Sequence, residues 1–163
     1  MSPKGNVPTL VLADGTVLNE GAAVLQYIAD QAPEAGLAAP YGTTKRYQLF
    51  NVLNYLASDM HSGCFAPLFY APSAEAREPL YPKLAAKLKY VTETLLQEGK
   101  KDYVVGSTFS VADAYLYIIL TWSPYVGVDL TPFPALVAYK ERIGALDFVQ
   151  GAHAAMAAAS PKA

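Results

Sequence analysis

The rhythm of apolar and polar positions changes from alternation to a helical period after the first twenty residues of this 163-residue chain. Thr9-Leu10-Val11-Leu12 is a short β-prone run, Asp14-Gly15 is a strong hairpin-turn signal, and Thr16-Val17-Leu18 follows, which reads as strand, turn, strand. A helix is expected to start near Glu20, to carry Val24, Leu25 and Ile28 at helical spacing, and to fade at Pro33. Residues 36–42, with Pro40 among them, read as a linker. From Thr43 to about Ser62 the stripe Leu49, Val52, Leu53, Leu56 and Met60 predicts a long amphipathic helix. Its opposite side carries Tyr47, Asn51, Asn54, Ser58 and His61, the last three falling at i, i+4 and i+7 and so on one face. A second helix is expected from about Pro82 to Gly99, with Leu84, Leu88, Val91 and Leu95 inward and Lys83, Lys87 and Lys89 on a solvated face. Ser110 to Trp122 is apolar nearly all round, as a central buried helix should be, and shorter helices are expected near Pro134–Ile143 and Leu146–Ala158.

The chain therefore reads as mostly α: a β-hairpin and one helix over residues 1–35, a linker, then an all-helical bundle over residues 43–163. A hairpin with a single helix is too small to stand as a mixed domain, so further structure is expected to cover it. About half the residues are apolar, and acidic and basic residues interleave to a formal net charge of -2. That composition argues against disorder and offers no basic surface for nucleic acid. The longest apolar stretch, Ala114 to Trp122, falls well short of the roughly 20 residues a membrane span needs, so no membrane partner is expected. The first residues hold no apolar run of the signal-peptide kind. With one cysteine, Cys64, there is no intrachain disulfide framework, and a reducing cytoplasm is the natural compartment. The two histidines, far apart, give no metal-site spacing, so no metal is expected. Ser110-Val111-Ala112-Asp113 has the form of a capping box, with Phe109 placed as its hydrophobic staple.

Three stretches together resemble the glutathione S-transferases, nearest the bacterial beta type. Ser2-Pro3-Lys4-Gly5-Asn6-Val7-Pro8-Thr9-Leu10, Asp14-Gly15-Thr16 and Asn19-Glu20-Gly21 resemble the second half of that family's thioredoxin-like domain. Asn54-Tyr55-Leu56-Ala57-Ser58-Asp59-Met60-His61 looks like the beta-type segment that lines the glutathione site from the helical domain. Gly106 and Phe109-Ser110-Val111-Ala112-Asp113-Ala114-Tyr115 resemble the signature of the family's central helix.

The resemblance implies a fold: the remnant of a thioredoxin-like domain followed by the helical transferase domain. It implies a cytoplasmic homodimer that conjugates glutathione, as substrate, to small hydrophobic electrophiles. It also implies roles. Val7-Pro8 is a cis-proline unit whose Val7 backbone pairs with the cysteinyl unit of glutathione. Glu20 and Gly21 hold the γ-glutamyl end, the carboxylate at the helix N-terminus and the ammonium on Glu20. Asn54, Ser58 and Asp59 contact glutathione, in part across a dimer interface, and His61 points at the sulfur. Position alone leaves plainer uses open: Pro8 as a proline at a strand start, Glu20 as a complement to the helix dipole, and Asn54, Ser58 and His61 as a solvated face.

Cys64 interrupts the family's usual run into Phe65-Ala66-Pro67-Leu68-Phe69 and is expected to be buried and inert. The resemblance begins at residue 2, so the chain is expected to lack the first strand-helix-strand part, which carries the family's sulfur-contacting Cys, Ser or Tyr. That expectation puts this chain's own activity in question. It keeps a second reading open, a non-catalytic glutathione-binding or interaction module, and a weaker third, a glutathione-dependent reductase or peroxidase.

Overall fold

The computed structural model describes residues 4–5 and 7–159; Ser2, Pro3 and Asn6 of the front motif lie outside them. Strands β1 (Leu10–Val11) and β2 (Val17–Leu18) form a two-stranded antiparallel hairpin, with Leu10 opposite Leu18 and Val11 opposite Val17. Its turn works as the sequence predicts. Gly15 takes φ 86°, which a side chain would resist, while Asp14 Oδ1 accepts from the Thr16 amide at 2.9 Å. Helix α1 (Gly21–Gln31) follows directly, with Glu20 as its N-cap.

The helical part comprises α2 (Thr44–Tyr55), α3 (Ala66–Tyr70), α4 (Ala74–Arg77), α5 (Tyr81–Tyr90), α6 (Val111–Thr121), α7 (Pro134–Gly144) and α8 (Asp147–Ala159). The short α4 and the 3-10 turn Glu78–Leu80 after it were not legible in the periodicity. Thr43 caps α2 by accepting from the Arg46 amide at 3.2 Å.

The expected helix end near Ser62 is overturned. Between α2 and α3 the backbone widens into π-type turns over Leu56–Phe65, so the helix runs on to Tyr70. Such i→i+5 turns take up an extra residue without breaking the helix. Gly63 is the residue that permits it, because a Cβ there would stand 2.7 Å from the Ser58 carbonyl oxygen. The same widening recurs at Val91–Leu95, beyond α5.

The core lies where α2 and its π turns, α5, α6 and α7 meet. Leu53, Leu56, Met60, Phe65, Val91, Leu116, Ile119, Leu120 and Leu136 are fully buried, and Ala29 of α1 joins the same core. Each such leucine contributes about 1.5–3 kcal/mol by leaving water. The central helix α6 starts on the expected capping box. Asp113 is fully buried, and its carboxylate accepts from the Val104 and Ser110 amides (2.9 Å each), the Ser110 hydroxyl (2.8 Å) and the Tyr139 hydroxyl (2.9 Å). The Asp113 carboxylate is thus fully supplied with donors, which is what a buried carboxylate requires. Phe109 packs edge-on against Tyr103 and Phe148 at the mouth of this cap.

One expectation about a surface residue changes, that of Lys87, which is half-buried. Of the three lysines placed on a solvated face, Lys87 pairs with Asp59 and Lys83 donates to the Gly63 carbonyl at 3.0 Å, so both tie α5 to the π turns. Arg46, with no special signal in its pattern, is buried and holds Asp30 of α1.

Candidate functional site

The N-terminus of α1, the π turns and α6 converge at one place. The Val7–Pro8 bond is cis, and Val7 is exposed. A Cβ on Gly21 would lie 4.0 Å from Pro8 Cδ and 3.6 Å from the Tyr115 hydroxyl, so the first turn of α1 touches both. The Tyr115 oxygen stands 2.9 Å from His61 Nδ1, and the two rings meet edge-on. Trp122 also packs against the imidazole, tilted, with ring centroids 4.8 Å apart, and Phe69 meets Trp122 edge-on at 5.9 Å. Phe69 stays 46% exposed, so an apolar wall opens to solvent beside the histidine.

Burial lowers the proton affinity of His61, which is therefore a neutral imidazole at neutral pH. Burial also pushes the Tyr115 phenol up, and the nearby charge of Glu20 adds to that, so the hydroxyl keeps its proton. The pair is neutral on both sides. Glu20 is exposed and pairs with Lys4 at 2.6 Å, and among the described residues no side chain caps the leading amides of α1, which lie at the positive end of its dipole.

Asn54, Ser58 and His61 do not share one face, because the π turns rotate His61 away. Ser58 Oγ lies 2.8 Å from the Asn54 carbonyl and 3.0 Å from Asp59 Oδ2, and Asp59 turns to Lys87 on α5. The Lys87 ammonium, and then the Ser58 hydroxyl, hold the Asp59 carboxyl below its ordinary range. His61 alone of this set reaches α6. Val7, Pro8, Glu20, Gly21 and His61 are thus brought together, while Asn54, Ser58 and Asp59 form a neighbouring polar surface.

Cys64 is buried, and desolvation pushes its thiol up, against the weaker pull of Lys83 and Lys87; it has no thiolate character to offer. Tyr115, Trp122 and Phe69 carry no site signal of their own in the sequence. The one available hint is that a tyrosine on a nearly all-apolar helix needs a partner for its hydroxyl. Tyr117, two residues on, meets that need with His153 of α8 at 2.9 Å. Among the described residues no group of three or more His, Cys, Asp or Glu is placed to hold a metal ion, and no helix is long and apolar enough to cross a membrane.

Residues 49–147 match the model of the glutathione S-transferase C-terminal domain family. The chain is 39% identical over 153 residues to glutathione S-transferase GstA of Escherichia coli O157:H7, covering 93% of this chain and 74% of that relative. A sphingomonad glutathione S-transferase solved in complex with glutathione superposes with a TM-score of 0.86 at 41% identity, covering 94% of this chain and 75% of that one. The bacterial beta class glutathione S-transferase of Sphingomonas chungbukensis does so with a TM-score of 0.85 at 41% identity, over the same shares of each chain.

Proposed function

Because this chain belongs to the glutathione S-transferase family, we propose that it binds glutathione and transfers it to small hydrophobic electrophiles. The observation that carries this reading is the meeting of Pro8, Gly21, Tyr115 and His61 at the N-terminus of α1. The leading amides and positive dipole end of α1 suit the γ-glutamyl carboxylate, and Glu20 suits its ammonium. The exposed Val7 backbone offers a strand-like partner to the cysteinyl unit, which brings the thiol toward His61. A neutral imidazole donating to the sulfur favours its thiolate without itself needing to change charge. The thiolate attacks the electrophilic carbon, a carbon–sulfur bond forms, and the leaving group departs with its electron pair. The wall of Trp122 and Phe69 suits the apolar part of that electrophile.

The division at residues 36–42 into a glutathione-binding unit and a helical unit belongs to the same reading, as do a homodimer and a cytoplasmic setting. In that reading the exposed Asn54 and Ser58 and the half-buried Asp59 beside the site contact glutathione, in part across the dimer interface.

Calorimetric titration of the chain with glutathione tests the reading. Binding is expected, weakened about tenfold in Glu20→Ala, as for one charge-assisted bond. Absence of any binding heat from the unmodified chain, with no conjugation of an aryl halide, overturns it.

A further inference from the structure

Tyr115 is the residue through which α6 touches both sides of the site. Its hydroxyl faces the first turn of α1 at Gly21 on one side and His61 Nδ1 on the other. Among the described residues, that imidazole nitrogen is the hydroxyl's one hydrogen-bond partner. We propose that Tyr115 is a positioning residue that donates its O–H to His61 Nδ1 and so fixes the imidazole with its proton on Nε2, aimed at the glutathione sulfur. This rests on the function proposed above and adds to it the group that sets the histidine's tautomer.

A neutral imidazole has one donor and one acceptor nitrogen, so whichever role Nδ1 takes decides the role of Nε2. If Nδ1–H donated to the phenol oxygen, the O–H would be left without an acceptor in a half-buried place. Nε2 would then present a lone pair to a thiolate, and the two would repel. With the phenol donating, every polar atom of the pair is used and Nε2–H meets the thiolate as a donor. Burial keeps His61 unprotonated and Tyr115 protonated, so no competing ionised form disturbs the order. Trp122 packs on the imidazole at a tilt of 59°, with ring centroids 4.8 Å apart, and so limits the ring's freedom to turn. His61 makes no net proton transfer in this arrangement: the thiol's proton leaves to solvent, and the Nε2–H bond stabilises what remains.

The molecule holds its own comparison. Its second histidine, His153, meets Tyr117 through Nε2 and not Nδ1, so the same logic gives it the opposite tautomer. Nuclear magnetic resonance of the whole chain with nitrogen-labelled histidines reads both directly. The expected pattern is a proton on Nε2 of His61, with Nδ1 shifted as a hydrogen-bonded acceptor. In Tyr115→Phe the Nδ1 resonance moves to the position of an unbonded nitrogen while His153 is unchanged. The same variant is expected to lose about tenfold in kcat/KM toward an aryl halide, with the KM for glutathione within about twofold. A proton on Nδ1 in the unmodified chain, an Nδ1 resonance unmoved by Tyr115→Phe, or an unchanged kcat/KM each overturns the assignment. An unmodified chain with neither glutathione binding nor turnover overturns the functional reading itself; normal turnover with an unmoved nitrogen overturns the role of Tyr115 alone.

Discussion

Arg46 of α2 and Asp30 of α1 form a two-pronged ion pair, Nη1 to Oδ1 at 2.7 Å and Nη2 to Oδ2 at 2.8 Å. The Arg46 side chain is 1% exposed and that of Asp30 28% exposed. Nη1 also donates to the Ala39 carbonyl at 3.1 Å, and the guanidinium lies 3.9 Å from the centre of the Tyr41 ring. The pair fastens the far end of α1, whose near end carries Glu20 and Gly21, to the helix that leads to His61.

This asymmetry in burial sets the order of two substitutions. Asp30→Ala strands a buried cation and is expected to cost about 2–4 kcal/mol. Arg46→Met keeps the length and packing and leaves only a part-exposed carboxylate, so about 1–2 kcal/mol is expected. Urea unfolding of both variants checks the order, and a larger loss in Arg46→Met contradicts it. The hydrogen bond from Arg46 holds the Asp30 carboxyl below its ordinary range. The stability it adds is therefore present above the usual carboxylate pKa near 4 and is lost as pH falls through the lower folded value. Asp30→Asn should flatten that acid limb.

Gly63→Ala tests the π turns. The added methyl meets a backbone oxygen, which cannot swing aside as a flexible side chain could. A loss of roughly 1–3 kcal/mol is expected, as for overpacking elsewhere. Thermal unfolding indistinguishable from the unmodified chain would show that the turns relax freely.

His61 gives a second pH window with its own sign. Its folded pKa lies below the ordinary 6.5, so the unfolded chain binds the proton more readily. Stability linked to this group is full above that ordinary value and falls as pH drops below it. Urea midpoints taken at about pH 8 and about pH 5.5 should differ more in the unmodified chain than in His61→Gln. Equal differences would place the loss elsewhere.

Most of the helical plan was legible because the stripes of Leu49 to Met60, Leu84 to Leu95 and the Ser110 cap obey simple spacing rules. The hairpin was legible from Asp14-Gly15, and the cis bond at Val7–Pro8 agrees with the family resemblance. What spacing could not yield is the rotation past Leu56. A face counted at i, i+4 and i+7 presumes one helical pitch, and the widened turns split Ser58 from His61. Nor could it yield Arg46 or Tyr115, since each draws its role from a partner distant in sequence: Asp30, 16 residues away, and His61, 54 residues away. Lys87 was misread for the same reason, its partner Asp59 lying 28 residues back.

The Lys4–Glu20 contact bears on how the front of the site meets a ligand. Both side chains are more than half exposed, and a pair of that kind is worth about 0–1 kcal/mol. Glu20 is thus occupied in advance by a tethered placeholder that gives way cheaply. On the proposed function, an ammonium arriving at Glu20 displaces an intramolecular rival instead of filling an empty socket, at a cost no larger than that weak pair. On the same reading, a ligand that engages the α1 amides as well as Glu20 has the advantage in that exchange, with Lys4 as its mild competitor.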